Sequence, residues 1–206
     1  MARTRAKDYD DKRRALLHQA ALTFARDGYD RASMASLAAD CGVSKALLYH
    51  YYASKEALLF DIINTHLEAL VDAVEAADEP EAQPRARLES LVAALLEAYR
   101  DADAEHKVQL GALQLLPEDD QAQLKALERQ LVERFADAIR AVRPELFDGS
   151  RLLKPVTMSL FGMLNWFYMW FREGGAVSRR AYAGIATAIL VGGVAGLDEE
   201  GRSSDR

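Results

Sequence analysis

The chain has 206 residues, of which half are apolar and 28% charged, enough for one large domain or two small ones and too apolar for a disordered polymer. Only 5 prolines and 12 glycines interrupt long runs of Ala, Leu, Glu and Arg, a composition that favours helix and excludes an all-β sandwich. The net charge of −6 on its face opposes a polyanionic partner. The distribution says otherwise: residues 1–55 carry 10 Lys/Arg against 6 Asp/Glu, or +4, and residues 56–206 carry 16 against 26, or −10. The lone cysteine, Cys41, excludes a disulfide framework or a multi-cysteine metal site, predicts an ordinary small buried residue, and suits a reducing cytoplasmic compartment. The uncharged stretches Pro155–Phe171 and Ala181–Leu197 have 17 residues each, the lower edge of membrane-spanning length; their Thr, Ser, Asn and Gly content predicts buried helices with no membrane partner.

The expected fold is all-α. Leu16, Leu17, Ala20, Ala21, Phe24 and Ala25 recur at three- and four-residue spacing and predict a first amphipathic helix, Asp10 to Asp27, closed by Gly28 in the left-handed conformation. Ser33 caps a short helix from Met34 to Asp40, Gly42 turns the chain, and Ser44 caps a third helix from Lys45 to Tyr51. Two short helices joined by a glycine turn after a longer one make a helix-turn-helix. Ser54 then caps a long fourth helix ending near Asp78, and the acidic, proline-bearing segment Asp78–Pro84 predicts a solvated connection. A fifth helix runs through Leu88 to Tyr99, a sixth from Val108 to Leu116 and a seventh through Leu124 to Ile139. Two apolar helices follow, 151–172 and 178–197, separated by Gly174-Gly175. The expected domains are 1–54, reading DNA, and 55–197, a helical ligand-binding and dimerisation domain, with 198–206 as a disordered tail.

A helix-turn-helix enters the major groove with its second helix, while neighbouring donors hold phosphates. Lys45 and Lys55 stand at helix N-termini, and Ser33, Tyr49, His50 and Tyr51 add uncharged donors. From the residues alone, contact with another protein remains open as a second use of the motif. His18, His50, His66 and His106 are scattered, and no zinc, phosphate-loop, dinucleotide or nucleophile-elbow motif is present, so neither an enzyme nor a cofactor is expected.

The stretches Phe24-Ala25-Arg26-Asp27-Gly28-Tyr29, Ser33-Met34-Ala35-Ser36-Leu37-Ala38, Gly42-Val43-Ser44-Lys45 and Leu48-Tyr49-His50-Tyr51-Tyr52-Ala53-Ser54-Lys55-Glu56-Ala57-Leu58 resemble the DNA-binding domain of TetR-type transcriptional repressors over about residues 12–63. The resemblance implies double-stranded operator DNA as partner, with Ser44 as the helix cap. It puts Lys45, Ala46 and Leu47 at or near bases, and Ser33, Tyr49, His50, Tyr51 and Lys55 on phosphates. Many members carry Gly-Thr in place of Ala46-Leu47, which removes a hydroxyl and leaves Leu47 to touch a thymine methyl; many carry Phe-Pro in place of Tyr52-Ala53, with Tyr52 keeping the core role of the ring.

The same resemblance implies a homodimer built on the last two helices and a pocket for a small hydrophobic effector. Gly184, Ala188, Gly192 and Gly196 are the expected interface positions, where small residues let a second helix approach. Tyr99, Phe135, Met163, Trp166, Met169, Trp170 and Arg172 are the expected ligand residues. The apolar 151–172 helix, followed by Arg172, Arg179 and Arg180 and preceded by Lys154, is similar to the acyl-CoA-responsive subgroup, in which apolar room takes the acyl chain and cations take the phosphates. A neutral lipophile or drug, with an efflux gene as target, is the other effector that fits.

Overall fold

The computed structural model describes the backbone of residues 2–197 and the side chains of residue 9 and residues 11–197; the expected tail 198–206 lies outside the described residues. Every regular element among them is helical. Helix α1 is Ala2–Asp27, α2 Met34–Asp40, α3 Lys45–Tyr51, α4 Lys55–Ala76, α5 Pro84–Ala98 and α6 Asp103–Ala112, the last continued by a 3-10 turn at Leu113–Leu115. Helix α7 is Glu118–Val142, α8 Pro144–Phe147, α9 Leu153–Asn165, α10 Phe167–Trp170 and α11 Arg179–Ala195. No helix among the described residues is long and apolar enough to cross a membrane.

The chain folds into two compact units that do not follow its order: residues up to Ala69 join Asp101–Leu127, and Leu70–Arg100 joins the residues from Glu128 onward. In the first, the apolar stripe of α1, from Leu16 to Phe24, is buried, as are Leu37, Leu48, Leu58 and Leu59. Helix α6 packs along α1, fastened where His18 Nδ1 donates to Glu105 at 2.8 Å and Lys107 Nζ to the Ala25 carbonyl at 2.7 Å. Helix α6 starts earlier than the apolar pattern suggested, because Asp103 and Glu105 suit the positive end of a helix.

In the second unit, α11 lies against α5 and α9. Ala183, Ala186 and Thr187 are fully buried on its inner face. The connection after α4 is anchored rather than solvated. The Asp78 side chain is 5% exposed and receives Arg87 at 2.6 Å and Arg134 at 2.9 Å, which hold its carboxyl below the usual carboxylate range. The apolar stretch expected as one helix over 151–172 breaks at Trp166. Its run of bulky rings cannot be covered on one face, and the break lets Phe167 sink between Phe171, at 4.2 Å between ring centroids, and Tyr182, at 5.0 Å.

Within the first unit, the imidazoles of His66 and His106 lie buried with ring centroids 5.7 Å apart. Burial, with the His106 ring adding to it, lowers His66 from 6.5 to about 3. The folded state therefore keeps this ring neutral, and the unfolded chain takes up its proton below 6.5. That stability is complete above pH 6.5 and is lost as the pH falls toward 3, about 2 kcal/mol of it by pH 5. Urea midpoints at pH 7 and pH 5 should differ accordingly in the wild type, and His66→Leu should flatten the difference; an unchanged difference would remove His66 from the titration.

Candidate functional site

The helix-turn-helix owes its shape to local chemistry. Ser33 Oγ accepts the Ser36 N–H at 3.1 Å while Ser36 Oγ accepts the Ser33 N–H at 2.9 Å, a reciprocal cap that starts α2. At the other end, Val43 N–H reaches the Ala38 carbonyl and Gly42 N–H the Ala39 carbonyl, with Gly42 at φ +66°. This double closure demands a left-handed residue, which glycine supplies without steric cost. Ser44 Oγ then accepts the Leu47 N–H at 3.1 Å and starts α3.

Helix α3 buries a single side chain, Leu48, and exposes the side chains around it. Lys45, Ala46, Leu47, Tyr49 and His50 are all exposed, Leu47 at 42% despite being a leucine. Lys45 Nζ lies 5.7 Å over the Tyr49 ring. Tyr51 is half-buried and stacks on Tyr9 of α1, centroids 5.0 Å apart and planes 22° from parallel. Tyr52 is buried as expected, and its hydroxyl donates to Asp61 of α4 at 2.6 Å; Arg13 of α1 donates to the same carboxylate. One carboxylate of α4 thus ties α1 and the end of α3 together.

Lys55, expected on a phosphate, is engaged within the chain. Its Nζ donates to the carbonyls of Tyr29 at 2.9 Å and Ala32 at 3.1 Å and sits 4.0 Å over the Tyr29 ring, so the charge closes the loop ahead of Ser33 onto the start of α4. Sequence reasoning missed this use because carbonyl partners leave no trace in residue type. Cys41 is half-buried, its Sγ donates to the Leu16 carbonyl at 3.8 Å, and burial raises its thiol above the ordinary value, so it is no ready nucleophile. No group of three or more His, Cys, Asp or Glu side chains among the described residues is placed to hold a metal.

The expected effector residues divide. Tyr99 and Phe135 are buried: the Tyr99 hydroxyl donates to Asn165 at 3.0 Å, and Phe135 meets Phe161 edge-on at 5.2 Å. Met163 is half-buried, while Trp166, Met169, Trp170 and Arg172 lie on the outside, Trp166 at 61% exposure. Arg179 is used within the chain, 4.7 Å over the Phe171 ring and donating to the Leu96 carbonyl at 3.2 Å. Of the expected interface positions, Ala188, Gly192 and Gly196 are exposed. Gly184 instead turns toward α5, where an added Cβ would meet Glu89 Oε1 at 3.5 Å.

Residues 16–62 match the family model described as bacterial regulatory proteins, tetR family, and residues 81–194 the tetracyclin repressor-like C-terminal domain. The transcriptional regulator BetI of Rhizobium meliloti is 31% identical over 70% of this chain and 66% of its own length. The repressor KstR2 of Mycobacterium tuberculosis is 23% identical over 92% and 96%. Among solved structures, a TetR-family regulator from Bordetella parapertussis superposes with a TM-score of 0.81 and 35% identity, over 86% of this chain and 93% of that one. AibR, in complex with isovaleryl coenzyme A and operator DNA, superposes at 0.75 with 26% identity, over 87% and 98%. With a helix-turn-helix built this way and both family models matched, the chain belongs to the TetR family of bacterial DNA-binding transcriptional regulators.

Proposed function

We propose that the protein is a homodimeric repressor, acting on DNA in the cytoplasm and released from a near-palindromic operator by a hydrophobic acyl-CoA thioester. The observation that carries the DNA side is α3 itself, with Lys45, Ala46 and Leu47 exposed at its start and Tyr49 and His50 beside them as phosphate donors. Ser33 and Ser44 hold the reading elements through their caps, and the Ser44 hydroxyl, which accepts from Leu47 N–H, can turn its own hydrogen outward to a phosphate oxygen. Lys55 keeps one N–H for the same purpose after satisfying two carbonyls.

The dimer is supported by an uncovered apolar surface on the second unit. Ile185, Ala188, Ile189 and Gly192 follow one another at i, i+3, i+4 and i+7 on the exposed face of α11, with Ile189 at 57% exposure. Met158 on α9, Trp166 at its end and Met169 on α10 are exposed. Apolar groups massed this way on two neighbouring helices ask for a mutual partner, the same patch on a second copy. This reading moves Trp166 and Met169 from effector contact to subunit contact and leaves Tyr99, Phe135 and Met163 as the residues nearest an effector's apolar part.

The acyl-CoA assignment draws on AibR, whose structure holds isovaleryl coenzyme A, and on cations available for phosphate. Arg172 borders a hollow of about 240 Å³ with Trp170 and Val177, and Arg180 borders another of about 250 Å³. Lys154 is exposed. Helix α4 contributes to both compact units, so an effector that prefers one placement of this helix alters the DNA-reading helices, and operator DNA must weaken effector binding by the same factor.

Three measurements test the reading. Lys55→Ala should weaken binding to operator and random duplex by the same factor and flatten the log–log salt slope by about one, while Leu47→Ala should change base preference at one position per half-site; equal slopes or an unchanged binding motif would remove the residue concerned from the interface. Gly192→Asp or Ile189→Glu should yield monomers by light scattering. No heavy atom outside the helix backbone lies within 4 Å of an added Cβ at Gly192, so a variant that folds and stays dimeric would place the interface elsewhere. A panel of short, long and aromatic acyl-CoA thioesters should contain a member that dissociates the operator complex and perturbs the fluorescence of Trp166 and Trp170, whereas free CoA does neither. If the whole panel leaves both unchanged, the neutral lipophile becomes the effector to test.

A further inference from the structure

The two ends of α3 are held by different means. The closure at Gly42 and Val43 sets where the helix begins, and Leu48 is its single buried side chain. One closed turn and one side chain leave the tilt weakly fixed. A tilt of about 20° about one end carries the other end of this seven-residue helix about 3 to 4 Å, whereas contacts to base edges tolerate errors of roughly 0.5 Å. At the far end, the capping residue Tyr52 is 6% exposed, and its hydroxyl donates to Asp61 Oδ2 at 2.6 Å. Arg13 Nε donates to the same oxygen at 3.0 Å, and Arg13 Nη2 takes Oδ1. The hydroxyl thus meets a carboxylate that an arginine has already oriented and neutralised. The link that follows has little else to stiffen it: Ala53 is exposed, and Tyr52 has extended backbone at φ −136° and ψ 117°. Where many family members carry Phe-Pro, a ring without a hydroxyl and then a rigid residue, this chain has Tyr52-Ala53. It lacks one restraint and has another.

We propose that Tyr52 and Asp61 are positioning residues for sequence readout: their hydrogen bond sets the tilt of α3 and so governs discrimination among DNA sequences without contributing to attachment to DNA as such. This rests on the reading of α3 as the DNA-reading helix and adds to it a specificity determinant that touches no base. A phosphate contact from a long flexible side chain such as Lys45 follows a tilted helix with little loss, because the stem reorients and the charge needs no fixed direction. Contacts to base edges from Ala46 and Leu47 cannot follow, because their short side chains move with the backbone. Removing the hydroxyl leaves Arg13 on both oxygens of Asp61, so no unpaired buried charge results and the fold is kept. Proline at position 53 supplies the alternative restraint: it fixes its own φ and requires an extended predecessor, which Tyr52 already is. Hydroxyl and proline are then exchangeable ways of holding the same link.

The test uses the full chain, a duplex selected by the wild type from a randomised pool, and a random-sequence duplex of equal length. Tyr52→Phe should bind the selected duplex roughly ten- to thirtyfold more weakly, the scale of a lost base contact, while its affinity for the random duplex and its log–log salt slope keep the wild-type values. Tyr52→Phe/Ala53→Pro should recover most of the loss, and Ala53→Pro alone should bind both duplexes as the wild type does. Circular dichroism at the assay temperature separates tilt from stability, since a merely structural role lowers both affinities along with the folded fraction. A Tyr52→Phe variant with the wild-type ratio of selected to random affinity, or one that loses both in equal measure, overturns the positioning role. A double variant as weak as the single one overturns the exchange with proline. A wild type that selects no common motif overturns the reading of α3 itself, and this proposal with it.

Discussion

The placement of the recognition helix depends on the carboxylate of Asp61. It accepts from Arg13 of α1 and from the hydroxyl of Tyr52, the residue that caps the C-terminal end of α3. A seven-residue helix with one buried side chain has little apolar area with which to fix its own angle. A charge-assisted hydrogen bond from its C-capping residue, combined with the bidentate grip of an arginine, supplies that angle from outside. Burial and the hydrogen bond to Asp61 push the Tyr52 phenol well above its ordinary value, so the hydroxyl stays a donor at neutral pH. Next to this tie, the ring of Tyr51 stacks on Tyr9 of α1 and adds a second contact between α3 and α1.

Around it, charges that a reader of DNA would be expected to spend on phosphate are partly spent on the protein. Lys55 closes the Tyr29–Ala32 loop, and Tyr29 in turn donates to Glu56 at 2.9 Å. Arg26 is held by Asp27 and Asp40. Such pairs at the surface contribute little stability each, but they fix which cations remain outward-facing. The local excess of positive charge is therefore carried by fewer groups than the composition suggests, with Lys45 and Lys12 among them.

The reading head was legible in the sequence because its determinants are local. Ser33, Ser44 and Ser54 cap helices three residues downstream, and Gly28 and Gly42 adopt the positive φ that their positions required. What was not legible depends on partners distant in sequence. Asp78 lies among acids and prolines and reads as solvated, yet arginines 9 and 56 residues away bury it. Gly184 belongs to a small-residue stripe but faces Glu89 within the chain. The break at Trp166 has no proline or glycine to announce it; it follows from where Phe171 and Tyr182 wait for Phe167. Periodicity gave the extent of the apolar face, and only packing decided which rings it kept.

An exposed leucine on a groove-reading helix has a further consequence for searching a genome. Contacts made by lysine and arginine release counterions and weaken steeply as salt rises, on any sequence. On the proposed reading, in which Leu47 touches a thymine methyl, that contact would release none, so its share of the binding free energy would be nearly insensitive to ionic strength. Raising salt then strips away competing non-specific sites faster than it erodes the discrimination made by this side chain. On that reading the ratio of specific to non-specific occupancy set at Leu47 would be buffered against changes in ionic strength, whereas the affinity for random duplex, governed by the cations, would not.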